Sequence, residues 1–538
     1  MSAMDSPFFV PDIVKQFVYY FYRHIRERNI PEIQSMYETS FLKLSERYYK
    51  SVPWPAVELV ADVVDQDHVF CLLYKEMYYR HLYARCSPDL RQRCESWDNY
   101  CDLFGLLLHS NVNMQLPNQW IWDMIDEFIY QFQSFCQYRS KVSQKSPEEL
   151  ELLKKCEVKK VWNVLEVLNV LQALVDKSGI VAEMEADGGA ALFASDGYLP
   201  NQSNVLRMLG YYSLVGLLRV HTLIGDYQGA LKAIYPINLN ESVNLFAPKI
   251  AGCNIALFYY GGFCYLMQRR YMDAARVFNS VLMYINRVKQ YHTRSAQYEQ
   301  ILKKNEQMYA LLAITAALSP AAQKLLDENV MTQLRERNAE KIANMEHGNV
   351  GTFDELFSYA CPKFITPAPP PFDNPSVNTS QAAYRTQLNL FLAEVRSQQT
   401  LPLLKQYLQL YSSISLSKLS SLMDIEQGLL RTQLACLKNK TYNLRWNAGA
   451  DATSGTFVAA CDIDFYLDVD PITGAEMVIV SDTVHTRHHA EFISRHIGRF
   501  EEIVRDLEGP PPVVAAAAVP AVAAAPAPVV APKATAAF

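Results

Sequence analysis

Apolar positions recur at helical spacing along most of the chain. Leu206, Leu209, Ser213, Gly216, Leu217, Val220 and Ile224 fall on one helix face. Ala274, Val277, Phe278, Val281, Leu282 and Ile285 follow i, i+3, i+4, i+7, i+8, i+11, an amphipathic stripe. Near the start, Val14, Phe17, Val18, Phe21, Tyr22 and Ile25 share a face. A helix following Leu116-Pro117-Asn118-Gln119-Trp120 is apolar round most of its circumference, through Phe128, Ile129 and Phe132, which predicts burial on several sides. Ser146-Pro147-Glu148-Glu149 reads as a helix start, with an N-cap serine, proline at the first helical position and acids in the first turn. A helix over Val161 to Val175 follows, and helical pattern resumes from Ile301 to Ala317. Glu183 to Asn204, with Gly188, Gly189, Gly197 and Pro200, reads as a loop. Pro362 to Pro375 holds six prolines in 14 residues, so it is extended or turned and marks an interior boundary. Beyond it, Tyr384, Leu388, Phe391, Leu392 and Val395 share one helix face, and Leu404, Tyr407, Leu408 and Tyr411 another.

Between Asn204 and Ile285 the pattern repeats. Tyr227 and Ala230 recur as Tyr271 and Ala274, a shift of 44 residues, with Phe278 one turn further on. A tyrosine with a small residue three positions later resembles the second helix of a tetratricopeptide-like repeat, whose usual period is about 34 residues. In that reading the tyrosine fills the gap between paired helices and the alanine lets their backbones approach. Gly210, Gly216, Gly261 and Gly262 sit inside helical patterns, where each costs ~1 kcal/mol against alanine; close helix packing would explain them.

The last hundred residues change character. Leu416 to Met423 predicts a short helix and Glu426 to Lys438 a longer one, with Leu430, Leu434 and Leu437 inward. Tyr442 to Trp446 and Phe457-Val458 read as strands. Asp462 to Asp468 alternates, with Ile463, Phe465 and Leu467 on one face; Asp470 to Gly474 turns, and Met477 to Val480 returns. Short helix, longer helix, then hairpin is the order of a winged helix-turn-helix. A final helix carries Ile493, Ile497, Phe500, Val504 and Leu507 as a stripe of nearly four turns, widened by His496 and Ile503. Little domain surface remains for that stripe to cover, which predicts a partner interface. Gly509 to Phe538 is Ala/Pro/Val low complexity and predicts a disordered, dispensable tail.

Length and composition narrow the class. At 538 residues the chain exceeds one core. Half of its residues are hydrophobic, and 20 glycines are few for a turn-rich β fold. A net charge of −6 gives no global attraction to nucleic acid. Eleven scattered cysteines without a C-x-x-C pair, and no secretory signal, point to a reducing compartment. Ile250 to Gln268 is uncharged over 19 residues, close to membrane-spanning length, but Asn254, two glycines and its place in the repeat argue for core.

Chemistry is sparse. No phosphate-binding glycine loop and no H-E-x-x-H occurs. His485, His488, His489 and His496 cluster around a helix start beside Arg487 and Arg495, which reads as solvated surface rather than a metal site. Asp462, Asp464, Asp468 and Asp470 fit the solvent face of a hairpin rather than a calcium loop. Lys438, Lys440 and Arg445 are basic, but the hairpin beside them is acidic, so protein contact is favoured over RNA contact. No cofactor, metal or catalytic residue is expected, and the chain reads as a non-enzyme.

Helical repeats ending in a winged helix resemble the PCI-domain family, which builds the proteasome lid, the COP9 signalosome and eukaryotic translation initiation factor 3. Long strings are similar to the L-subunit family of that initiation factor: Met36-Tyr37-Glu38, Tyr78-Tyr79-Arg80-His81, Gln131-Phe132-Gln133-Ser134-Phe135, Trp162-Asn163-Val164, Asn305-Glu306-Gln307-Met308, and Glu355 to Tyr359 with Cys361-Pro362-Lys363-Phe364. The likeness spans roughly residues 12 to 507; Met184 to Asn201 and Asn238 to Ala251 depart from it. It implies a mostly α fold: a right-handed stack of TPR-like helical repeats ending in a winged-helix (PCI) domain with a β-hairpin wing and a C-terminal helix. The expected divisions are an N-terminal helical domain (1–200), repeats leading into the PCI domain (201–400), a winged helix (401–485), a bundling helix (486–508) and the tail (509–538). The resemblance implies a cytoplasmic scaffold whose partners are other PCI and MPN subunits, including subunits K and E, with the small ribosomal subunit reached through the complex. A subunit of a related lid-type complex and a direct RNA-binding module are the alternatives.

Overall fold

The computed structural model describes residues 10–508 except 111, 200–201, 238, 240–245, 289–297, 373–378, 448–450, 460–462 and 482. The tail expected to be disordered lies outside the described residues.

The described chain is mostly helical, with small antiparallel sheets near its C-terminal end. The helix Asn118–Ser140 lies at the centre of the N-terminal part, buried on several sides as its apolar circumference predicts. Phe21 of the helix Asp12–Glu27 stacks on Trp120 at 5.3 Å. Tyr100 of the helix Leu90–His109 meets Phe128 edge-on at 5.2 Å. The predicted Ser146 cap forms a full capping box with Glu149 on the helix Pro147–Val158. The stretch read as a loop differs from expectation. It carries two short helices, Ile180–Asp187 and Ala190–Ala194, set off by Gly179, Gly188 and Gly189 at positive φ. The glycines punctuate the helices rather than erase them, because buried Ile180, Met184 and Leu192 anchor each piece to the core.

Four helices form the repeated region: Val205–Ile224, Tyr227–Ala233, Ala251–Met267 and Tyr271–Val288. The helix Ala251–Met267, the uncharged run checked for membrane length, is buried almost throughout its length inside the protein. Among the described residues no helix is long and apolar enough to cross a membrane. Ala230, Ala274 and Phe278 are fully buried, and Tyr271 nearly so, its hydroxyl accepting from Gln398 Nε2 at 3.0 Å. Tyr227 is only half-buried; its ring lies 6.0 Å from Phe263 and its hydroxyl donates to Gln387 Oε1 at 2.6 Å. At Gly262 the neighbouring helix Tyr271–Val288 packs tightly: a Cβ there would lie 2.5 Å from the Phe278 ring. Gly262→Ala is therefore expected to lower stability by ~1–3 kcal/mol despite the better helix propensity of alanine, read as a fall in Tm.

A polar network crosses the N-terminal core. Glu76 is fully buried and accepts from Trp120 Nε1 at 3.1 Å and Tyr100 Oη at 3.4 Å, with Arg80 paired to it. Asp123 accepts from Tyr37 Oη at 2.7 Å, and Glu127 from Gln131 Nε2 at 2.9 Å. Burial pushes Asp123 and Glu127 up to about 7, the neighbouring carboxylates adding to it. Their folded values exceed their unfolded ones, so between roughly pH 4 and 7 the folded state holds protons the unfolded state has released. This part of the stability falls as pH rises through that window and is flat above it. Glu127→Gln should remove its share of the fall, gaining ~2 kcal/mol on the parent at pH 8 and nothing near pH 4. Thermal melts of the two proteins across that range check it.

The proline-rich stretch does not separate two cores. Phe364 and Ile365 are buried, and Gln133 and Arg139 hold the carbonyls of Lys363 and Pro367 at 2.8 and 3.1 Å. One apolar cluster runs from Val10 through to Val395 on the helix Ala382–Gln398. A second cluster begins at Leu401, in the helix Leu401–Leu410. It is built from the helices Leu416–Met423 and Gln427–Thr441 under a three-stranded antiparallel sheet. Numbered in chain order, the strands are β1 (Ser413–Ser415), β2 (Tyr442–Arg445), β3 (Thr456–Ala459), β4 (Asp464–Val469) and β5 (Glu476–Ser481). The three-stranded sheet has the order β1-β5-β4, while β2 and β3 pair separately. Phe465 and Val478 are buried, while Leu467, two residues further along the outer strand β4, is half exposed.

The β2–β3 ribbon is docked on the repeated region. Beyond β2, the backbone N–H of Trp446 donates to buried Asp273 at 3.0 Å, and Arg270 donates to the carbonyls of Ala452 and Ser454 at 2.9 and 3.1 Å. Tyr265 Oη donates to the Ala452 carbonyl at 2.9 Å.

Candidate interaction surface

The last helix, Thr483–Glu508, begins three residues before the expected 486. From Phe492 to Leu507 no residue of it is buried. Ile493, Ile497, Phe500, Val504 and Leu507 are all exposed, Phe500 at 65% and Leu507 at 80%. Ile503 and Phe492 add to the same exposed surface. Sequence reading did not include Phe492; its ring lies 4.3 Å from His496, a contact that i, i+4 spacing allows. The stripe advances by 4, 3, 4 and 3 residues, a heptad seam. β-Branched Ile497 and Val504 occupy one seam position, and Ile493, Phe500 and Leu507 the other. His496 and Ile503 flank one side of the seam, and Ser494 and Glu501 the other. This pattern lets a second helix seat its knobs between these side chains. Seven large apolar groups are thus exposed on this helix, five of them alternating along one line as a continuous apolar seam.

The other candidate groups have different surroundings. Ala230, Tyr271, Ala274 and Phe278 are buried between these helices, and Tyr227 is half-buried. Lys438 of the helix Gln427–Thr441 lies 3.4 Å from Asp464 and donates to the Phe465 carbonyl at 2.8 Å. Lys440 is paired with Glu394, and Arg431 with Glu476. These cations are engaged by the chain's own acids. Tyr466 and Val469 on β4, and Ile472 in the following turn, are exposed apolar groups at the edge of the sheet. The side chains of His485, His488 and His489, and Asp462, lie outside the described residues. Among the described residues no group of three potential metal ligands converges.

Comparison with known proteins bears on the whole chain. A family model described as RNA polymerase I-associated factor PAF67 matches residues 92–500. Eukaryotic translation initiation factor 3 subunit L of Nematostella vectensis is 44% identical over 508 residues, covering 93% of both chains. The human protein of that name is 41% identical over 526 residues, covering 93% of this chain and 91% of its own. The chain belongs to the translation initiation factor 3 subunit L family. The Xenopus tropicalis member is 42% identical over 526 residues, again across 93% of this chain. The strings quoted above, from Met36-Tyr37-Glu38 to Cys361-Pro362-Lys363-Phe364, are thus those of a subunit L family member. The family is named for a subunit of a translation initiation factor, and its likeness to this chain runs through both apolar clusters.

Proposed function

We propose that this subunit L family member is a non-enzymatic scaffold in a cytoplasmic translation initiation factor 3 complex. It acts by assembly, and so supports mRNA recruitment and scanning on the small ribosomal subunit. In this reading, residues 201–400 form a right-handed TPR-like stack. Residues 401–485 form a winged helix, with β4 and β5 as the wing and β2–β3 as a ribbon inserted before it. Residues 486–508 are the bundling helix. Partners are other PCI and MPN subunits, among them K and E, with the ribosome reached through them. The observation that carries the proposal is the exposed heptad stripe of the last helix. It is a preformed helix face whose apolar groups are left exposed among the described residues. The exposed edge of β4 supports a second, edge-to-edge contact. The pairing of Lys438 and Lys440 with acids weighs against a phosphate-binding role for that helix.

The test is native mass spectrometry of complexes captured on a tagged full-length chain from its own cells. Assemblies containing several initiation factor 3 subunits are expected. Recovery of proteasome-lid or signalosome subunits instead, or of the chain alone with RNA, would overturn the reading.

A further inference from the structure

Two cysteines 62 residues apart meet between helices: Cys94 Sγ, near the start of the helix Leu90–His109, lies 3.2 Å from Cys156 Sγ, near the end of the helix Pro147–Val158. The separation is shorter than an ordinary contact between two sulfurs, and only about 1 Å of approach would bring them to a disulfide bond length. Both thiols are free. Cys156 is buried and Cys94 is partly exposed, so the pair opens to solvent on one side. The surrounding helices hold the two thiols in place. Trp162 Nε1 donates to the Arg93 carbonyl at 2.9 Å, next to Cys94, and Arg139 pairs with Glu157 at 2.6 Å, next to Cys156.

We propose that Cys94 and Cys156 form a reversible redox site, a dithiol that peroxide converts to an intramolecular disulfide locking these two helices together. In the first step the Cys156 thiolate attacks a peroxide oxygen, hydroxide leaves, and the sulfur becomes a sulfenic acid. The Cys94 sulfur then attacks that sulfur; the S–O bond breaks and water leaves as the S–S bond forms. The two thiols lose two electrons and two protons in total, and hydrogen peroxide is reduced to two waters. Either sulfur can donate across this contact; with Cys94 as the donor, the hydrogen bond lowers the Cys156 thiol below its ordinary value and the nearby Lys159 cation adds to this, which favours Cys156 as the attacking sulfur. The same hydrogen bond and burial push Cys94 up, which suits it to the resolving role. Cys101, two turns along from Cys94 and exposed, is the internal comparison, with no sulfur within hydrogen-bond reach among the described residues.

Full-length protein is treated with stoichiometric hydrogen peroxide, alkylated, and digested without reductant for peptide mass spectrometry. The expected product is a peptide pair linked through Cys94 and Cys156, two hydrogens lighter than the reduced peptides. Dithiothreitol should restore both thiols to alkylation. The oxidised wild-type protein should melt higher than the reduced one, and Cys94→Ser should abolish that rise while leaving the reduced-state Tm close to wild type. If Cys101 oxidises while Cys94 and Cys156 both stay alkylatable, or if either links to a different cysteine, the proposal is overturned.

Discussion

Asp273→Ala is expected to lower stability by ~3–5 kcal/mol and to release the β2–β3 ribbon from the body of the protein. Asp273 is fully buried and Arg270 is 2% exposed; their charged groups lie 2.8 Å apart. Asp273 also lies 3.5 Å from Arg276 and receives the backbone N–H of Trp446 through both carboxylate oxygens. Removing the carboxylate strands a buried guanidinium, and breaking one side of a buried pair costs more than the pair itself contributes. It also leaves the Trp446 N–H unpaired, a further desolvation cost of ~1–3 kcal/mol if the site stays closed. The least costly response is for the segment carrying Trp446, Ala452 and Ser454 to lift and let water reach Arg270. Hydrogen exchange should therefore speed up over residues 442–459 well before the helix Asn118–Ser140 loses protection. Replacing Arg270 and Asp273 together by apolar residues should cost less than Asp273→Ala alone, because no charge is left behind. An Asp273→Ala protein with unchanged Tm and a protected ribbon would show that this ion pair does not hold the two parts together.

That docking contact was not legible in the sequence, for a physical reason. Arg270 immediately precedes the amphipathic helix Tyr271–Val288 and Asp273 lies in its first turn, a spacing shared with any surface pair, and nothing local marks their burial. Their partners, Trp446 and Ala452, lie more than 170 residues downstream. The stripes were readable because side-chain spacing alone encodes them: Ala274 to Ile285, Leu430 to Leu437 and, apart from the partly buried Tyr22, Val14 to Ile25 are buried as the pattern requires. Strand β1 was missed because three residues, Ser413-Ile414-Ser415, carry too short an alternation to stand out beside two helices. Gly188 and Gly189 mask two short helices, since glycines interrupt the local helical pattern while Leu192 is held in the core by contacts distant in sequence. Tyr227 and Tyr271 have the same local pattern but differ in burial, and each hydrogen-bonds a different glutamine of the helix Ala382–Gln398, Gln387 and Gln398. The last helix is the opposite case. Its stripe was visible in the sequence, and among the described residues no element covers it.

Ile497→Asp combined with Phe500→Asp is the second large effect expected, and it acts on assembly rather than on folding. Both side chains are more than half exposed, so charging them removes little from the core, and the isolated chain should keep its circular dichroism signal and its Tm within about 1 °C. In a complex the same positions would sit at the middle of a helix–helix seam. A carboxylate buried there without a partner costs several kcal/mol, and each ~1.4 kcal/mol is tenfold in affinity. The most direct measurement is co-purification of initiation factor 3 subunits with the tagged full-length double variant, quantified against wild type by mass spectrometry. A loss of ten-fold or more in recovered partners, with Tm unchanged, is the expected result. Full recovery of partners by a folded double variant would contradict the assignment of this helix as the assembly surface.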